Sequence, residues 1–436
     1  MSSCVNDLLT FIKHSPSAYH ATSEVASRLK DAGYTALTEG DAWTLTPGGR
    51  YYVTRNLSSI IAFSLPEAPL PCGFMIAAAH SDSPSFKIKE ISDSEVAGSY
   101  TRINVERYGG MLCSTWFDRP LSAAGKVTVA ESGKVVSHLV DLDADLFMIP
   151  SVAIHMNRNA NEGASYNAAS DMQPIAGTVA VKGGLKAKIA EAVGATEDAV
   201  LATDLFLYPR TEGCVWGLQN EFVSSPRLDD LQCVYGALNG FLKANNREAM
   251  PVLFVADNEE VGSSTKQGAA STFLYDVLVR VIEALGGSPA DYRRAVARSF
   301  MISADNAHAV HPNHPEYADP NHRPKMNAGI VIKHNANQRY TTDSVSSAIF
   351  TAICRKAEVP LQHFTNRPDL AGGSTLGNIA NTQVSLNTVD IGLPQLAMHS
   401  CYETAGVKDT DYLVKAMTAF FSTSLRMDAD GVYGIE

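Results

Sequence analysis

Val5, Leu8, Leu9 and Ile12 recur at the spacing of one helix face, and Val25 and Leu29 continue the pattern, so the chain is expected to open with a pair of helices. IIAFSL and GFMIAAA are apolar runs of strand length, and the polar cluster HSDSPS follows the second directly. From about residue 93 to 212 the texture changes. KVTVAESGKVVSHLV alternates like a hairpin with Ser132-Gly133 at its turn, and VAIHM and LFLYP read as further short strands. Few helical periods interrupt this block, which suggests a β-rich domain (93–212) inserted between two parts of another (1–92 and 213–436).

Helical patterning returns at Leu231, Val234, Tyr235, Leu238, Phe241 and Leu242, just after PRLDD. Beyond it, PVLFVA, FMISA, AGIVIK and QVSLNTV are predicted strands, and residues 273–285 and 412–421 are predicted amphipathic helices. Alternation of this kind predicts an α/β fold with a mixed sheet covered by helices on both faces.

Composition narrows the field of functions. With 436 residues, 45% of them hydrophobic, the chain can bury a large core, and its formal charge of -11 argues against a nucleic-acid or anionic-membrane partner. No segment reaches the length of an apolar membrane span, and the opening MSSCVNDLLTFIKHS lacks the basic start and unbroken apolar stretch of a signal peptide. Seven scattered cysteines without a C-x-x-C pair suit a reducing compartment, so a cytoplasmic location is expected.

Five polar clusters follow apolar strands or open a helix: His80-Ser81-Asp82, Leu228-Asp229-Asp230, Asp257-Asn258-Glu259-Glu260, Ala304-Asp305-Asn306 and Met398-His399-Ser400. Singly each reads as an ordinary hydrogen-bonded turn. Together, on one edge of a sheet, they collect two imidazoles and several carboxylates, a donor set suited to zinc. Two ions sharing a carboxylate would supply both a nucleophile at neutral pH and a Lewis acid for a scissile carbonyl. In the pair Glu259-Glu260 one side chain can bind metal while its neighbour takes a proton, and Asp82 is placed to orient His80.

The segments AAHSDSPSFKIK, STWFDRPLSAAG, VAIHMNRNANEG, SSPRLDDL, DNEEVGS, SADNAHAVHPN, KHNANQRY, GGSTLG and MHS occur in that order over nearly the whole chain, which thereby resembles the aspartyl aminopeptidases. The resemblance implies a three-layer zinc-peptidase fold with an inserted dimerisation domain. It also implies two zinc ions per chain, with cobalt or manganese as possible substitutes. His80 and Asp305 would bind one ion, Glu260 and His399 the other, and Asp229 would bridge them. Glu259 would be the general base. His308, Lys333 and Tyr340 would contact a peptide substrate with an acidic N-terminal residue, and His155 would be supplied by a neighbouring subunit of a dimer-based homo-oligomer, commonly a dodecamer. One departure stands out: family members often continue the last motif as MHS-x-Arg-Glu, whereas this chain has Cys401-Tyr402-Glu403.

Other dizinc exopeptidases of the same broad fold, N-acyl amino acid deacylases, and a non-catalytic assembly protein remain as alternatives at this stage. GGSTLG at 372–377 lacks the lysine and spacing of a P-loop and reads as a close backbone approach near the active site. His311, His314 and His322 read as ordinary loop histidines rather than an extra metal site, and Trp116 and Phe117 as core or interface aromatics.

Overall fold

The computed structural model describes residues 3–436, which divide into two units. One holds the residues up to Asp82 together with Gly213–Met398 and Glu403–Glu436; the other holds Ser83–Glu212 and the short segment His399–Tyr402.

The first unit is built on a nine-stranded mixed sheet. In chain order its strands are β1 (Thr35–Leu37), β2 (Arg50–Arg55), β3 (Ser59–Ser64), β4 (Phe74–His80), β5 (Met250–Ala256), β6 (Phe300–Ala304), β7 (Ile330–His334), β8 (Leu361–Thr365) and β9 (Asn387–Gly392). Their spatial order is β1-β2-β3-β5-β4-β6-β9-β7-β8. The three central strands β5, β4 and β6 run parallel and are buried along their whole length. Burial on both faces explains why they read as unbroken apolar runs. Alternate residues of β4 enter different cores. Met75, Ala77 and Ala79 pack with the helices Ser3–Lys13, Ala18–Asp31, Leu228–Lys243 and Val407–Phe421, whereas Phe74, Ile76 and Ala78 pack with the helix Phe273–Ala284. The result is a helix–sheet–helix sandwich of three layers.

A second sheet in this unit joins Cys214–Trp216, Phe222–Ser225, Glu403–Gly406, Pro394–Leu396 and Ala307–His308. The other unit is a six-stranded antiparallel sheet over a core that includes Phe86, Trp116, Val127, Ile149 and Leu205. Its first strand spans Ser85–Val96, so the chain enters this unit before residue 93. Trp116 is buried against Phe86, with ring centroids 5.2 Å apart.

Three local readings are corrected. VAIHM is a loop of turns, because Val152, Ile154 and Met156 are exposed and have no sheet neighbour to pack against. The last strand begins at Asn387, since residues 381–384 close the turn after the helix Leu376–Ala380. A helix, Gly184–Ala192, interrupts the β-rich block. The hairpin turn at Ser132-Gly133 has both residues at positive φ, as a two-residue turn between twisted strands requires.

Candidate active site

The side chains predicted to carry chemistry gather where the central parallel strands end. His80 is the last residue of β4 and pairs in register with Ala256, the last of β5. Its backbone N–H donates to Asp230 Oδ2 at 3.1 Å. Its Nδ1 lies 3.0 Å from the Asp82 carbonyl oxygen, which can only accept, so Nδ1 carries a hydrogen and Nε2 is the nitrogen turned towards the cluster. Nε2 faces Asp229, whose Oδ1 is 3.6 Å away.

Asp82 thus orients His80 through its main chain, with its own carboxylate 3.4 Å from Nδ1. That carboxylate also accepts the N–H groups of Glu259 (3.1 Å) and Glu260 (3.2 Å). The turn bearing the two glutamates begins at Asn258, which sits at φ 62, a conformation that Asn tolerates better than most residues. Thr265 and Gln267 donate to the Asn258 side chain and hold the turn from the other side.

Asp229 opens the helix Leu228–Lys243, and its N–H donates to Glu403 Oε2 at 2.9 Å. Glu403, buried and given no role in the sequence reading, therefore fixes the backbone of Asp229. Asp305 follows β6. Its Oδ1 accepts from Lys333 Nζ at 3.2 Å, and the same ammonium donates to the Asn306 carbonyl at 2.8 Å. Asn306 in turn donates to Gln232 and Gln395, two further buried residues that sequence reasoning passed over.

Two donor groups result. Ligand atoms of His80, Asp229 and Glu260 all lie within 4.8 Å of one another, as do those of His80, Glu259 and Asp305. Electrostatics marks the cluster as short of positive charge. Burial and then Asp229 raise Glu260 well above the ordinary carboxyl range; burial, with Asp305 and Asp82 outweighing His80, pushes Glu259 up to about 8. Burial alone would lower His80, but Asp230, Asp229 and Asp82 raise it well above its usual value. Burying several carboxylates around one imidazole is costly unless a cation compensates. One imidazole nitrogen with carboxylate oxygens is a donor set that fits zinc, and also cobalt or manganese.

Lys333 is buried on β7; burial lowers its pKa, but Asp305 together with Tyr340, Asp390 and Asp229 holds it above the ordinary lysine range. Its Nζ is 5.5 Å from the centroid of the Tyr340 ring, and Tyr340 packs edge-on against Phe364 at 6.4 Å. Phe364 also meets His308 at 5.9 Å. His308 lines a cleft of about 290 Å³ whose walls include His311, His314, Phe364, Arg367 and Gln395. GGSTLG lies against the sheet: a Cβ on Gly377 would stand 2.7 Å from Ser303 Cβ and 2.9 Å from Asp390 Oδ1.

His80, Asp229, Glu259, Glu260 and Asp305 are thus brought together, with Asp82 and Lys333 bonded to members of the group. His399 and His155 belong to the β-rich unit. There the His399 carbonyl accepts from Leu112 N at 3.0 Å, the neighbouring Cys401 Sγ donates to the Thr115 carbonyl, and Tyr402 Oη donates to the Glu212 carbonyl. His155 is exposed between Ile154 and Met156.

The profile of the aminopeptidase I zinc metalloprotease (M18) family matches residues 11–421. A probable M18 family aminopeptidase 2 from Clostridium novyi is 44% identical over 96% of this chain and 98% of its own. Among solved structures, that of the Ape4 and Nbr1 complex superposes with a TM-score of 0.93 at 37% identity, over 96% of this chain and 85% of the other. That of the mApe1 dodecamer of S. cerevisiae gives 0.85 at 29% identity, over 96% of each chain.

Proposed function

Since the chain belongs to the M18 family of zinc metallo-aminopeptidases, we propose that it removes single residues, preferentially Asp and Glu, from the N-termini of peptides at a centre of two zinc ions. The observation that carries the reading is the pair of overlapping donor groups at His80, one with Asp229 and Glu260 and one with Glu259 and Asp305. In the proposed division, His80 and Asp305 would hold one ion and Glu260 the other, with Asp229 shared between them and Glu259 left free to act as base. The motif alone supplies His399 as the fifth ligand. Bound zinc supplies a Lewis acid for the scissile carbonyl and lowers the pKa of water.

The chain's own groups do the rest. Glu259 would be the general base: the Asp82 carboxylate holds its backbone beside the cluster, and bound cations would bring its carboxyl down from about 8, leaving it ionised to take a proton from the attacking water. Lys333 and Tyr340 form the wall that receives the side chain of the first residue, and His308 continues it into the cleft. An acidic side chain there meets an ammonium that is already desolvated, which favours a carboxylate over a neutral group.

We further propose a homo-oligomer, dimer-based and dodecameric as in the yeast mApe1 assembly, in which His155 completes the partner's site. Exposed Val152, Ile154 and Met156 around His155 support it, because apolar groups clustered on a loop mark a contact surface.

The test combines metal analysis with a scan of aminoacyl-arylamides and N-acetyl amino acids. Two zinc per chain with fastest release of Asp and Glu is expected. Hydrolysis of N-acetyl amino acids in preference to arylamides, or full activity with one ion, would overturn the reading.

A further inference from the structure

One residue beyond Lys333, at the end of β7, stands His334, and on the neighbouring edge strand β8 stands His363. The strands are parallel, with Ile332 opposite His363 and His334 opposite Thr365. Ile332 and His334 are two residues apart on one strand, so His334 and His363 share a face of the sheet. His334 Nε2 lies 3.1 Å from His363 Nδ1, with the rings 29° apart in plane and 5.3 Å between centroids.

At that separation one nitrogen carries a hydrogen and the other a lone pair, and two imidazolium rings would repel. Burial first, then His363 and His322, lowers the pKa of His334, which favours its neutral ring with a nitrogen able to bind a metal. Two nitrogens bound to one tetrahedral zinc at ordinary bond lengths stand about 3.3 Å apart. The observed spacing needs only a few tenths of an ångström of adjustment. His363 is exposed and His334 half-buried, which leaves room for water to complete the coordination.

We infer that His334 and His363 form a separate, exchangeable site for a divalent transition ion such as zinc, bound through two imidazole nitrogens on adjacent strands. The donor set differs in kind from the carboxylate-rich cluster at His80, since imidazole without carboxylate suits zinc, copper and nickel rather than manganese or magnesium. With two protein ligands the ion is held weakly, and it clamps the edge strand β8 to β7.

The test uses the intact, metal-loaded protein, passed through gel filtration so that only tightly held metal remains, and titrated with zinc chloride by calorimetry. Wild type is expected to take up one further ion per chain. His363→Ala, a change at an exposed position, should weaken that uptake about tenfold or more, and His334→Gln likewise. His138→Ala, in the other unit, should leave it unchanged. Absence of further uptake by wild type, or uptake in His363→Ala and His334→Gln as tight as in wild type, would overturn the inference. The metal retained before titration is counted separately, so a failure of the two-zinc reading shows in a different number.

Discussion

Lys333 Nζ lies 3.2 Å from Asp305 Oδ1, and both side chains are almost wholly shielded from solvent, so the cation of the proposed substrate wall is shared with a candidate metal ligand. Lys333→Met removes it from both. Cleavage of Asp- and Glu-arylamides should fall far more than cleavage of neutral ones. In the chelated protein the orphaned Asp305 charge should cost about 3–5 kcal/mol, the usual result of removing one partner from a buried pair. Kinetics on paired substrates and denaturant unfolding with and without zinc check the two halves. Unchanged selectivity would remove Lys333 from the substrate wall.

Glu259 and Glu260 share one carboxylate anchor, Asp82, yet are proposed to act differently. Glu259→Gln should retain zinc while turnover drops on the order of 100-fold or more, the usual range for a lost general base. Glu260→Gln should lose zinc as well. Elemental analysis beside kcat separates them, and equal metal loss in both would show the division to be wrong.

His155 is exposed on a loop of the β-rich unit, as a substrate-binding donor to a partner's site would have to be. Mixing two inactive variants, His155→Ala and Glu259→Gln, under conditions of subunit exchange should restore part of the activity. Hybrids that form without regaining activity would exclude action in trans.

Gly377 leaves no space for a methyl group beside Ser303 and Asp390. Asp390 is fully buried and accepts the Thr341 N–H and hydroxyl at 2.5 and 2.6 Å and the Thr375 hydroxyl at 2.5 Å, so it joins GGSTLG to the residues that follow Tyr340. Gly377→Ala should therefore cost about 1–3 kcal/mol of stability, as overpacking does. It should also raise KM more than it lowers kcat. A variant of unchanged stability and KM would mean that the helix moves aside freely.

Asp409, in the first turn of the helix Val407–Phe421, accepts the N–H groups of Asn327 (2.6 Å) and Gly329 (3.1 Å), which lead into β7. Burial pushes its carboxyl up to about 7 although both bonds favour the charged form. A folded value above the unfolded one, near 3.8, means that this stabilising contribution is complete below about pH 4 and is lost as pH rises to 7. The slope is at most about 1.4 kcal/mol per pH unit. Asp409→Asn lacks it, so the penalty of the substitution should shrink between pH 5 and pH 8. Unfolding of both proteins at the two pH values measures this; a constant penalty would contradict it.

Much of this was legible because the informative residues stand at transitions. His80, Glu259 and Asp305 each follow an unbroken apolar run, and parallel strands buried on both faces must end on a common edge. Gln395, Glu403 and Asp390 were not legible. Each acts through bonds to residues far away in the chain, and no local pattern distinguishes such a buried polar side chain from a surface one. VAIHM misled for a related reason: apolar residues at strand spacing normally signal burial, and here they face outward. The Cys401-Tyr402 departure leaves Glu403 in place, and with it the support of Asp229.

The neighbours of β4 in the sheet are β5 and β6, which begin at Met250 and Phe300, while the whole β-rich stretch from Ser83 to Glu212 is encoded in between. On the ribosome, FMIAAAH therefore emerges long before anything can cover its two edges. At a synthesis rate of about 5–20 residues per second it waits roughly 9 to 35 s for PVLFVA. The antiparallel sheet of the inserted segment, whose strands all lie before residue 210, can close during that interval. A nascent chain in this state presents an uncharged, seven-residue apolar strand with free hydrogen-bonding edges, the kind of segment that pairs with other chains. Recovery of soluble protein should thus be governed by how fast translation passes Ala256 and by which chaperones hold β4 until then.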